Sequence, residues 1–106
     1  MVNPKFLKTI DIDAVTKLSD GELLYLIEIL LDLRVSKAWI YNLDRVIFTL
    51  EDYGLMWKVE SDASDTYSAS VYYPSKDRMY AHEGAELPSR ALIYAWIKGA
   101  INEGSI

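Results

Sequence analysis

Gly54-Leu55-Met56-Trp57-Lys58-Val59-Glu60 is where the chain changes its hydrophobic period, and that change decides the fold. Leu55, Trp57 and Val59 alternate with Met56, Lys58 and Glu60, the period of two of a half-buried strand. After the polar turn Ser61–Thr66, Tyr67, Ala69, Val71 and Tyr73 alternate with Ser68, Ser70 and Tyr72. Pro74-Ser75-Lys76-Asp77 makes a second turn, and Arg78-Met79-Tyr80-Ala81-His82 reads as a third, shorter strand. Connections this short favour an antiparallel meander. Alternation sends Tyr67 and Tyr73 to the core face and Tyr72 and Tyr80 to the opposite one.

Upstream, the period is helical. Ser19-Asp20-Gly21-Glu22 is a capping-box pattern, with Glu22 three residues after Ser19. The helix it opens runs from Leu23 to Leu33, and only Glu28, Asp32 and Tyr25 break its aliphatic surface. A helix apolar over most of its circumference is either sandwiched inside the domain or turns its second face to another chain. On the second reading Leu23, Leu26, Ile27, Leu30 and Leu31 form an oligomer face. Ser36 to Asp52 carries a β-prone stretch, Val46-Ile47-Phe48-Thr49-Leu50. Yet Trp39, Leu43, Val46, Ile47 and Leu50 follow helical spacing, with Ser36 at the N-cap position and Gly54 beyond the end. The longer periodicity predicts a helix. Asp11 or Asp13 stands where it would cap a short helical turn through Ala14, Val15 and Leu18, and residues 1–9 read as an N-terminal arm.

Downstream, Pro88 suits a first helical position, and the helix it opens continues to about Asn102 before Gly104 ends it. Arg90, Tyr94, Lys98 and Asn102 form its polar stripe. Leu92, Ile93, Ala95, Trp96, Ile97, Ala100 and Ile101 form its packing face. The expected architecture is a single α+β domain, residues 1–106: an antiparallel three-stranded meander packed with about three helices, order α-α-β-β-β-α, an α/β sandwich.

Composition narrows the function classes. The chain of 106 residues has no Cys, which fits a reducing cytosol and excludes disulfides and thiolate-metal sites. The longest apolar stretch, Leu23 to Leu33, is too short to span a bilayer. Sixteen acidic against eleven basic residues give a net charge of −5, which opposes direct binding to nucleic acid. Much of the excess sits in one segment, where Glu51, Asp52, Glu60, Asp62 and Asp65 face a lone Lys58. That segment is a solvated surface or a patch that docks on a basic partner.

Residues 36–101 resemble small phage and prophage proteins with an α-β-α sandwich. The likeness rests on the helix carrying Trp39, Leu43, Val46 and Leu50, on Gly54-Leu55-Met56-Trp57-Lys58-Val59, and on Glu86-Leu87-Pro88-Ser89-Arg90-Ala91 opening the closing helix. The resemblance implies a phage ABA sandwich-like domain in a bacterial host cell, where such proteins act by binding host machinery. It carries over no catalytic residue.

No constellation for catalysis, metal or cofactor stands out. His82-Glu83-Gly84-Ala85-Glu86 has its one His beside a Gly and just before Pro88, so it reads as an exposed strand end rather than a zinc helix. Glu28 and Asp32 are the solvent stripe of their helix. Tyr67, Tyr72, Tyr73, Tyr80 and Trp57 could stack single-stranded bases only among more bases than Lys58, Lys76 and Arg78. The sequence and the resemblance together point to a non-enzymatic acidic binder, a homodimer through the apolar helix Leu23–Leu33, that inhibits or redirects a host defence complex with carboxylates in place of phosphates. The alternative is a homo-oligomeric phage structural or assembly protein.

Overall fold

The computed structural model describes residues 11–62 and 64–103. Among them five helices and three strands form an α+β domain: α1 (Ile12–Val15), α2 (Asp20–Leu31), α3 (Lys37–Ile40), α4 (Leu43–Asp52), β1 (Met56–Ser61), β2 (Tyr67–Tyr73), β3 (Arg78–Ala85) and α5 (Pro88–Glu103). The sheet is the expected antiparallel meander, order β1-β2-β3. The arm over residues 1–9 and the stop at Gly104 lie outside the described residues.

Local chemistry sets the helix ends. The capping box of α2 is complete: the Glu22 amide donates to Ser19 Oγ at 3.3 Å and the Ser19 amide to Glu22 Oε1 at 3.1 Å. Asp11 caps α1, accepting from the Asp13 amide at 3.1 Å. The helix expected over 36–52 is two helices. Asn42 takes an extended conformation (φ −114°, ψ 99°), and its carboxamide oxygen accepts from the Arg45 amide at 3.1 Å. An Asn that satisfies an orphan N–H restarts a helix as readily as it interrupts one. Trp39 Nε1 donates to Thr49 Oγ1 at 3.2 Å and ties α3 to α4.

α5 is the centre of the molecule. It lies across all three strands on one side and meets α1 to α4 on the other. Every residue from Ala91 to Ile97 is buried, Tyr94 included at 4 % exposure, so the expected polar stripe survives only at its edges. Leu23, Leu26, Ile27, Leu30 and Leu31, the expected oligomer face, are all buried within this chain, each 7 % exposed or less. That corrects the outward reading of α2. Its aliphatic face covers α5, and Tyr25, 65 % exposed, is the large apolar residue it shows to solvent.

The sheet packs one face on α5 and leaves the other bare. Ala69 and Val71 are buried, with Val59, Tyr67 and Tyr73 packed against the core. Tyr80 joins this inner face, contrary to the alternation reading. The Pro74–Asp77 turn pairs Tyr73 with Arg78 and Tyr72 with Met79, so Tyr80 lies opposite the buried Val71. Its ring meets Tyr73 edge-on at 5.7 Å, and its hydroxyl donates to Glu103. Tyr72 does lie on the outer face, in register with Met56 and Met79. β3 also runs three residues past His82, with a bulge where Gly84 takes φ +80°.

Candidate functional site

The first turn of α5 presents Arg90 near a helix N-terminus, where a cation opposes the macrodipole. Its partners explain the placement. Arg90 Nη2 donates to Asp20 Oδ1 and, at 3.3 Å, to the Tyr41 hydroxyl; Nη1 donates to the Tyr94 hydroxyl at 2.8 Å. The Tyr41 hydroxyl donates to Asp20 Oδ2 at 2.7 Å, and Lys37 Nζ stands 3.5 Å from the same oxygen. The Arg90 and Asp20 side chains are only 15 % and 18 % exposed. The Tyr41 hydrogen bond, then the Arg90 charge and its hydrogen bonds, hold Asp20 below the ordinary carboxylate range despite partial desolvation. Burial works against the Arg90 charge, but its hydrogen bonds to Tyr41 and Tyr94 outweigh it and raise the guanidinium pKa.

This network fastens α2 and the end of α3 to α5. Arg90→Met keeps the apolar stem and removes the donors, so it is expected to destabilise the fold by about 1–2 kcal/mol. Asp20 contributes stability that is present above its unfolded pKa and lost as pH falls through its lower folded pKa. The variant should therefore also show a shallower loss of stability on acidification below about pH 4. Urea midpoints measured across that range check both effects.

Beside the network lies a cleft of about 530 Å³ whose lining includes Arg90, Tyr94, Tyr41 and His82 together with Asp13, Glu83 and Glu86. His82 is half-buried rather than an exposed strand end, its ring edge-on to Tyr94 at 5.0 Å. Burial, reinforced by the Lys98 charge, lowers its pKa against the pull of Asp13 and Glu83, so the imidazole is neutral at pH 7. Among the described residues no group of three or more His, Asp or Glu side chains is placed to hold a metal ion. Glu28 pairs with Arg34 at 2.7 Å, while Asp32 ends α2 in the left-handed region (φ 55°), so these two carboxylates form no joint site.

Sheet register sorts the acidic segment into two groups. Ser61 pairs with Tyr67, and Tyr67 with Ala85, so Glu60, Asp62 and Asp65 share one end of the sheet with Glu83 and Glu86. Glu51 and Asp52 close α4 at the opposite end of β1, about 17 Å of strand away. Glu51 accepts from Trp57 Nε1 at 3.3 Å. Asp62 braces the β1–β2 turn, accepting from Thr66 Oγ1 at 3.1 Å and Ser68 Oγ at 2.8 Å. Glu60 pairs with Lys58, and Asp65 is exposed in the turn with φ 60°. Glu83, Glu86 and Asp13, which the sequence reading left out of the patch, make no ion pair among the described residues. Extending the third strand to Ala85 is the step that would have found Glu83 and Glu86, because it brings them level with Glu60 and Asp62.

Fold and site together define a small α+β domain with an acidic sheet end beside an aromatic-lined cleft. No protein-family model, curated protein or solved structure matches the chain.

Proposed function

We propose that this chain is a non-enzymatic protein-binding domain of phage or prophage origin that docks on a basic surface of a bacterial host complex and inhibits or redirects it. The binding surface in this reading is the acidic end of the sheet, with Glu60, Asp65, Glu83 and Glu86 standing where phosphates of a nucleic acid would lie. The observation that carries it is the register that sets these residues, from the end of β1, the β1–β2 turn and the end of β3, level with one another at one end of the sheet. Acids gathered on one side steer a cationic partner and fix its orientation more than they add raw affinity. The sequence resemblance to phage sandwich proteins supports the host context.

Asp62 is unsuited to a neutralisation test because its carboxylate holds the turn. The informative variant is Glu60→Gln/Asp65→Asn/Glu83→Gln/Glu86→Gln, with Glu51→Gln/Asp52→Asn as the control at the far end of β1. Each is used as bait in a bacterial lysate. A basic host protein should be retained by the wild type and the control, released at about 1 M salt where screening reaches about 3 Å, and lost by the fourfold variant. Equal retention by the fourfold variant would overturn the reading.

A further inference from the structure

The two edges of the sheet are treated differently. β3 is guarded: Lys98 crosses from α5 and its ammonium donates to the Ala81 carbonyl at 3.2 Å, Arg78 stands 3.9 Å from Glu103, and Gly84 makes the bulge. Lysines and bulges at an edge are the devices that prevent strand addition. β1 carries one lysine, Lys58, paired with Glu60 along its own strand, but it lacks a bulge, and five of its six residues are exposed. Its pairing with β2 is regular from Met56 to Ser61, so among the described residues its other side presents a straight run of unpaired backbone donors and acceptors.

The sequence of β1 is also complementary to itself. In an antiparallel pair of β1 strands with a two-fold axis at Val59, Val59 meets Val59 of the other copy. Lys58 then meets Glu60 on the bare face, and Glu60 meets Lys58. Both contacts repeat by symmetry, and each pair falls on one face, as opposite residues in a sheet must. A shift of the axis by one residue, to Lys58 or Glu60, sets like charges opposite each other. The charge pattern thus favours this register over both one-residue shifts of the axis.

We propose that β1 is the docking edge for a second copy of this chain, giving a two-fold dimer with a continuous six-stranded antiparallel sheet. The dimer is isologous and closed by its symmetry, since the remaining edges are the guarded β3 strands. One short strand pair lies at the small end of specific interfaces, so the association is in the micromolar range and depends on concentration. The seam shares Glu60 with the acidic sheet end, so it is tested on the isolated chain, where no host partner is present. The dimer would carry two such ends in one particle, at opposite sides of the shared β1 seam.

Sedimentation velocity over a concentration series tests this, with substitutions confined to side chains that are already 71 % and 55 % exposed, Lys58 and Glu60. Lys58→Glu and Glu60→Lys each place two like-charge contacts across the seam and should weaken the dimer at least about tenfold. The double swap Lys58→Glu/Glu60→Lys restores opposite charges and should return the dissociation constant to within about threefold of wild type. A sample mixing isotope-labelled and unlabelled chains should show intermolecular contacts from Val59. A wild-type monomer up to about 1 mM would overturn the proposal. So would a dimer indifferent to both single substitutions, because that dimer uses another surface.

Discussion

Trp96→Ala should destabilise the protein by about 4 kcal/mol, within the range for deleting a large buried aromatic. Trp96 is 3 % exposed near the middle of α5, and its ring meets Tyr53 edge-on at 5.7 Å. With Leu30, Leu31, Leu55 and Tyr73 it lines the junction where α2, the β1 lead-in and the end of β2 meet α5. Truncation removes the ring's transfer free energy and leaves a hole that these elements cannot all close at once. Small domains hold about 5–15 kcal/mol in total, so the variant loses roughly a quarter or more of its margin. The expected melting temperature is roughly 15–25 °C lower. Trp57→Ala is the control: that indole is 37 % exposed, its N–H makes one 3.3 Å hydrogen bond to Glu51, and about 1 kcal/mol is expected. Equal losses for the two variants in thermal and urea unfolding would mean that α5 is not the organising element.

The difference between those tryptophans marks the limit of what the sequence discloses. Periodicity placed α2, all three strands and α5, because alternation and capping are local and Ser19, Glu22 and Pro88 act within one turn of themselves. It could not rank the helices by depth. α2 reads as the more apolar, yet α5 is the one packed on two sides, since layer order depends on which surfaces meet and not on one segment's pattern. The single helix expected over 36–52 fails at Asn42, whose cap competes with continuation at a position where apolar spacing alone shows no break. Tyr80 lies on the face opposite to the one alternation predicts, because the register across Pro74–Asp77 is set by turn length, which alternation within one strand does not record. The acidic patch was half legible. Glu60, Asp62 and Asp65 are neighbours in sequence, whereas Glu83 and Glu86 reach them only through two strand pairings.

Gly99→Ala should be destabilising by about 2 kcal/mol, although glycine inside a helix ordinarily gains about 1 kcal/mol from that change. Gly99 lies two-thirds of the way along α5, where a sequence reading sees only a weak helix former. A Cβ built there would stand 2.5 Å from Tyr73 Cε1 and 2.7 Å from its hydroxyl oxygen. Gly99 is thus the notch that lets β2 bring the end of a tyrosine ring against α5. The ring cannot swing aside cheaply: its hydroxyl donates to the Trp96 carbonyl at 3.3 Å, and its other flank meets Tyr80 at 5.7 Å. Burial and the neighbouring Glu103 and Tyr80 also keep that phenol protonated, so no ionised form relieves the contact. Overpacking and the displaced hydrogen bond therefore exceed the gain in helix propensity. The decisive measurement is a double-mutant cycle with Tyr73→Ala. Tyr73→Ala is destabilising by itself, but with the ring gone Gly99→Ala meets no obstacle and recovers its propensity gain, so its effect should change sign to about 1 kcal/mol stabilising. A loss of similar size in both backgrounds would mean that the glycine answers to something other than the tyrosine.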